Sequence, residues 1–75
     1  MPYVAIKSWP KDEETKKRVV EKVNQAMIDA LGCAPEALTI SYEMIPKEEW
    51  EENVKKVDIE PKMDKVMILS GVKKY

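Results

Sequence analysis

Pro2, directly behind Met1, is the residue of this chain whose type and place could do the most unusual chemistry. With Met1 removed it would become the N-terminus, and an N-terminal proline is the only proteinogenic secondary amine. Its nitrogen would then hold or release a proton, which the amide nitrogen of an internal proline cannot do. An ordinary α-amino group titrates at roughly pH 7.7–8.0, and proline's amine is intrinsically more basic. Burial or a neighbouring cation disfavours the charged form, each unit of lowering corresponding to about 1.4 kcal/mol. An amine tuned in that way suits proton abstraction beside a carbonyl at neutral pH.

The rest of the chemical inventory is narrow. The chain has no histidine, which removes Ser-His-Asp catalysis and most zinc sites. Cys33 is the only cysteine, so no internal disulfide can form, and at a helix end without a histidine it reads as structural. A metal would have to rest on carboxylates alone, and none has ligand spacing; no metal or other cofactor is expected. Thirteen Lys and Arg against fourteen Asp and Glu argue against a nucleic-acid surface. No segment reads as a membrane span or a signal peptide, which makes no membrane and a cytoplasmic location the expectation. Lys16-Lys17-Arg18 and Lys55-Lys56 read as solvated faces.

These residues need elements to position them. From 2 to 9 the sequence alternates, with Val4 and Ile6 on one side and Tyr3, Ala5, Lys7 and Trp9 on the other, which predicts a strand. Pro2 suits its first position, where no ladder donor is needed. Asp12 is an N-cap candidate followed by Glu13 and Glu14, and Val19, Val20, Val23, Met27, Ile28 and Leu31 form a helical stripe that Gly32 ends. The helix is expected over 12–31. Leu38, Ile40, Tyr42 and Met44 alternate with Thr39, Ser41 and Glu43, predicting a second strand over 38–45. A helix of this length between two strands permits a crossover that leaves them parallel. Glu48-Glu49-Trp50 predicts a short turn, and Asp58-Ile59-Glu60-Pro61 reads as the start of a C-terminal helix over 59–69, ended by Ser70-Gly71. The expected architecture is thus α/β: one domain over 1–75, a βαβ unit plus a short C-terminal helix. A chain of this size buries only about 60% of its unfolded surface. Two strands and one helix also leave open edges, so oligomerisation is expected to extend the sheet.

Three blocks together resemble the superfamily typified by 4-oxalocrotonate tautomerase. They are Met1-Pro2-Tyr3-Val4-Ala5-Ile6-Lys7, Pro35-Glu36-Ala37-Leu38-Thr39-Ile40, and Glu43-Met44-Ile45-Pro46-Lys47-Glu48-Glu49-Trp50, covering residues 2–50 around a helix of the right length. The tail Asp58-Ile59-Glu60-Pro61-Lys62-Met63-Asp64, with Gly71 and Tyr75, is similar to the dimeric, phenylpyruvate-acting branch, whereas Glu51-Glu52-Asn53-Val54 stands where hexameric members carry a Gly-rich hairpin.

The resemblance implies a cofactor-independent enol–keto tautomerase acting on a small-molecule 2-oxo acid of aryl pyruvate type, as a homodimer rather than a hexamer. Pro2 matches the catalytic base. Trp50 matches the aromatic wall beside the amine, a role that can coexist with anchoring an interface. Lys11 falls near the family's first substrate-binding arginine, and Thr39 stands at the second. The one arginine, Arg18, matches neither site, so a double-arginine clamp for a dicarboxylate is missing and threonine does not replace its bidentate grip. Lys11, and after it Lys7 or Lys62, is the expected cation for a single carboxylate or a developing enolate. A non-enzymatic oligomeric binding module on the same scaffold is the alternative.

Overall fold

Asp12 opens the long helix α1, Glu13–Leu31, as a side-chain cap. Its Oδ2 accepts from the Thr15 N–H at 3.1 Å and its Oδ1 from the Thr15 hydroxyl at 2.6 Å. Those two bonds favour the ionised carboxylate and hold the Asp12 pKa below its ordinary value, the side-chain bond first. Glu13 and Glu14 complement the helix dipole in the first turn. At the other end Gly32 takes a left-handed conformation (φ 66°) and its N–H donates to the Ile28 carbonyl at 2.9 Å.

The computed structural model describes residues 1–75, which form two compact units, Met1–Ile45 and Pro46–Tyr75. In the first, β1 (Tyr3–Ser8) and β2 (Thr39–Met44) pair in parallel, with Tyr3 opposite Thr39 and Ser8 opposite Met44. One ladder bond extends the pairing at each end: the Thr39 N–H to the Pro2 carbonyl at 3.2 Å, and the Ile45 N–H to the Ser8 carbonyl at 2.8 Å. A parallel pair needs a crossover, and α1 is that crossover. A short 3₁₀ turn, Pro35–Ala37, returns the chain to β2.

In this register opposite residues share a face of the sheet. Val4, Ile6, Ile40, Tyr42 and Met44, all half-buried, lie on one face. Lys16 of α1 stands over the Tyr42 ring at 5.9 Å, which puts the helix on that side. Tyr3, Ala5, Lys7, Thr39, Ser41 and Glu43 lie on the other. The α/β class and the parallel βαβ unit read from the sequence are both present.

The second unit departs from the expected helix over 59–69. After a 3₁₀ turn, Lys47–Glu49, helical turns begin eight residues early, at Glu51. They run as a π-helix over Glu51–Ile59, where the Glu60 N–H reaches the Lys55 carbonyl five residues back, and as a 3₁₀ segment over Glu60–Lys65. Pro61 explains the break. It has no N–H to donate, and its ring crowds the carbonyl four residues earlier, so a regular ladder cannot pass through it. The early start is supported by side-chain pairs at helical spacing, Glu51 with Lys55 at 3.8 Å and Glu52 with Lys56 at 2.8 Å.

Ser70 and Gly71, expected to end a helix, instead turn a hairpin. Both have positive φ (48° and 84°), the geometry that matches the twist of two-residue hairpins. They join β3 (Ile68–Leu69) to β4 (Val72–Lys73) in an antiparallel pair. Val54 is the buried core residue of the chain, at 5% exposure.

Candidate functional site

Pro2 is held by the strand it introduces. It is half-buried, its carbonyl is tied to the Thr39 N–H, and Met1 ahead of it is 99% exposed. Thr39, at the start of β2, is therefore the sheet neighbour of the Pro2–Tyr3 segment. On the same face the Tyr3 hydroxyl and the Ser41 hydroxyl hydrogen-bond at 2.9 Å. This end of the sheet thus collects the proline that follows Met1, an exposed threonine and a hydroxyl pair with donor capacity to spare.

Ser41 and Tyr3 were not singled out by the sequence. Their shared parity was legible, but pairing them required the register that puts Ala5 opposite Ser41.

Lys11 lies at the other end. Its backbone N–H donates to the Met44 thioether at 3.3 Å, beside the last residues of both strands, and its side chain is exposed. Six residues of β1 separate the two ends, about 20 Å at strand rise. One chain therefore brings Pro2 and Thr39 together and keeps Lys11 apart. Of the second-choice cations, Lys7 faces Glu43 at 4.0 Å across the strand pair, and Lys62 faces Asp58 at 4.0 Å in the second unit. Trp50 also belongs to the second unit. It is half-buried, in helical conformation, with its N–H on the Lys47 carbonyl.

No group of three or more His, Cys, Asp or Glu side chains is placed to hold a metal ion. No helix is long and apolar enough to cross a membrane.

A parallel βαβ unit whose first strand is introduced by a proline places the chain among small α/β proteins. No protein-family model matches the chain. It is 38% identical over 51 residues to the 2-hydroxymuconate tautomerase of Comamonas testosteroni, covering 67% of this chain and 81% of that one. A solved structure of a 4-oxalocrotonate tautomerase isozyme from Methylibium petroleiphilum superposes with a TM-score of 0.62 at 38% identity, covering 65% of this chain and 81% of the other. The chain belongs to the 4-oxalocrotonate tautomerase superfamily, and it is an enol–keto tautomerase, an isomerase.

Proposed function

We propose that this enzyme tautomerises enols of 2-oxo acids of the aryl pyruvate type, with the secondary amine of Pro2, freed by removal of Met1, as the proton carrier. The amine takes the proton from the 2-hydroxyl of the enol. As the oxygen becomes a carbonyl, the C=C electrons accept the same proton at the adjacent carbon, and the amine is restored. Nothing is oxidised or reduced, so the reaction calls for no cofactor or metal. A positioned base of this kind contributes roughly 10²–10⁴ in rate.

One observation carries the reading: Pro2 leads β1 from a half-buried position, bonded through its carbonyl to Thr39, behind a Met1 that is fully accessible to removal. Thr39 in place of a cation favours a monocarboxylate with an apolar end, such as an aryl pyruvate enol. The gap of about 20 Å between Pro2 and Lys11 is longer than such a substrate, which supports a homodimer in which Lys11 serves the Pro2 of the second copy.

The test begins with a mass spectrum of the mature N-terminus. Acylating the freed amine is then expected to lower kcat/KM on phenylpyruvate enol by roughly 10²–10⁴-fold. Undiminished turnover after complete acylation refutes the mechanism.

A further inference from the structure

We propose that Tyr42 and Ser8 are positioning residues for substrate binding: through the Trp9 carbonyl they fix the turn that carries Lys11. This rests on the reading of Lys11 as the cation for the substrate carboxylate.

The hydroxyls at the end of β1 have only one way to share their protons. Ser8, the last residue of that strand, donates to the Trp9 carbonyl at 2.8 Å. A carbonyl only accepts, so this bond uses the one proton of the Ser8 hydroxyl. In its 2.5 Å contact with the Tyr42 hydroxyl, the tyrosine is therefore the donor. The relay runs in a single direction, from Tyr42 to Ser8 to Trp9. Tyr42 is half-buried, and the Lys16 ammonium of α1 lies over its ring at 5.9 Å, so the head of the relay is held from the helix side as well.

Pro10 converts that grip into a position for Lys11. A residue before proline is confined to extended backbone, and the proline ring locks its own φ. Holding the Trp9 carbonyl fixes the plane of the Trp9–Pro10 peptide, which leaves the chain little freedom before Lys11. The Lys11 N–H then closes the turn on the Met44 thioether at 3.3 Å. Tyr42 and Met44 lie on the same face of β2, so one strand grips the turn at two points. A thioether is a weak acceptor, and the hydroxyl relay is the stronger grip.

The consequence concerns binding. A lysine on a loose turn loses backbone as well as side-chain freedom when it meets a carboxylate, and the relay removes the first loss in advance. Breaking the relay should weaken the hold on substrate and leave the proton transfer at Pro2 as it was.

The experiment measures kcat and KM on phenylpyruvate enol, with Met1 removed, for the native chain, Tyr42→Phe, Lys11→Ala and the two combined, alongside Ser8→Ala and Ser8→Thr. Tyr42→Phe is expected to raise KM roughly two- to tenfold, the size of one hydrogen bond, with kcat unchanged. Ser8→Ala should match it, and Ser8→Thr, which keeps the hydroxyl, should retain the native KM. Lys11→Ala is expected to raise KM roughly ten- to a hundredfold, as for a charged hydrogen bond. In that background Tyr42→Phe should add nothing, because the turn no longer carries a cation. An unchanged KM in Tyr42→Phe overturns the relay. So does a KM effect that persists in full without Lys11, since damage to packing alone would behave that way. A native KM in Lys11→Ala refutes the carboxylate role of Lys11 and the relay with it, while the loss of turnover on acylating Pro2 would still stand.

Discussion

The two units of this chain, Met1–Ile45 and the shorter, more densely charged Pro46–Tyr75, obey their local signals very differently. In Met1–Ile45 every signal points the same way. Alternation gives strands, Asp12 starts a helix, Gly32 stops it, and the parallel register follows. In Pro46–Tyr75 the signals compete. Glutamate–lysine pairs favour helix from Glu51, Pro61 forbids a regular ladder, and Ser70-Gly71 prefers a hairpin to a helix stop. The result is a π-helix, a 3₁₀ segment and two very short strands. Where local preferences agree, a sequence can be read directly; where they conflict, packing arbitrates.

The contrast predicts unequal sensitivity. Val54→Ala removes two buried methyl groups from the buried core residue and is expected to cost about 2 kcal/mol. Limited proteolysis should then cut within Pro46–Tyr75 before it cuts within α1. Cleavage in α1 first would reverse the ranking of the two units.

Thr39→Arg addresses the first unit's site instead. Restoring a guanidinium beside Pro2 is expected to raise kcat/KM for a dicarboxylate enol by about tenfold relative to an aryl pyruvate enol, in line with one charge-assisted hydrogen bond. An unaltered preference ratio would detach Thr39 from substrate selection.

Gly32→Ala asks whether the helix stop is conformational. A built Cβ meets nothing within 4 Å, so any loss comes from the positive φ, about 1 kcal/mol by chemical denaturation. A neutral result would mean the α1 terminus can end another way.

The smallest effect concerns pH. Asp12 has a folded pKa below its unfolded value, so the stability it lends is fully present above the unfolded value and is lost as the pH falls through the folded one. Helix content in that acidic window should therefore decline in the native protein. It should decline less in Asp12→Asn, whose cap does not titrate. Identical acid profiles would remove Asp12 from the account.

Two of the proposed site residues draw attention in the sequence itself. Pro2 stands out by residue type and place, and Thr39 by standing where a cation was expected. The union of Pro2 with Thr39, the hydroxyl pair of Tyr3 and Ser41, and the separation from Lys11 were not legible there, because each depends on strand register and strand length rather than on neighbouring residues. Val54 was also invisible, since its apolar neighbours in sequence do not repeat with one period.

The sequence by itself determined the βαβ order, the limits of α1 and the absence of histidine chemistry, because alternation, caps and composition act within a few residues. Only the tertiary structure decided which residues share an end of the sheet and how the tail folds around Pro61. Those outcomes arise from pairings between distant residues and from the loss of a backbone donor, which no local window weighs against its competitors.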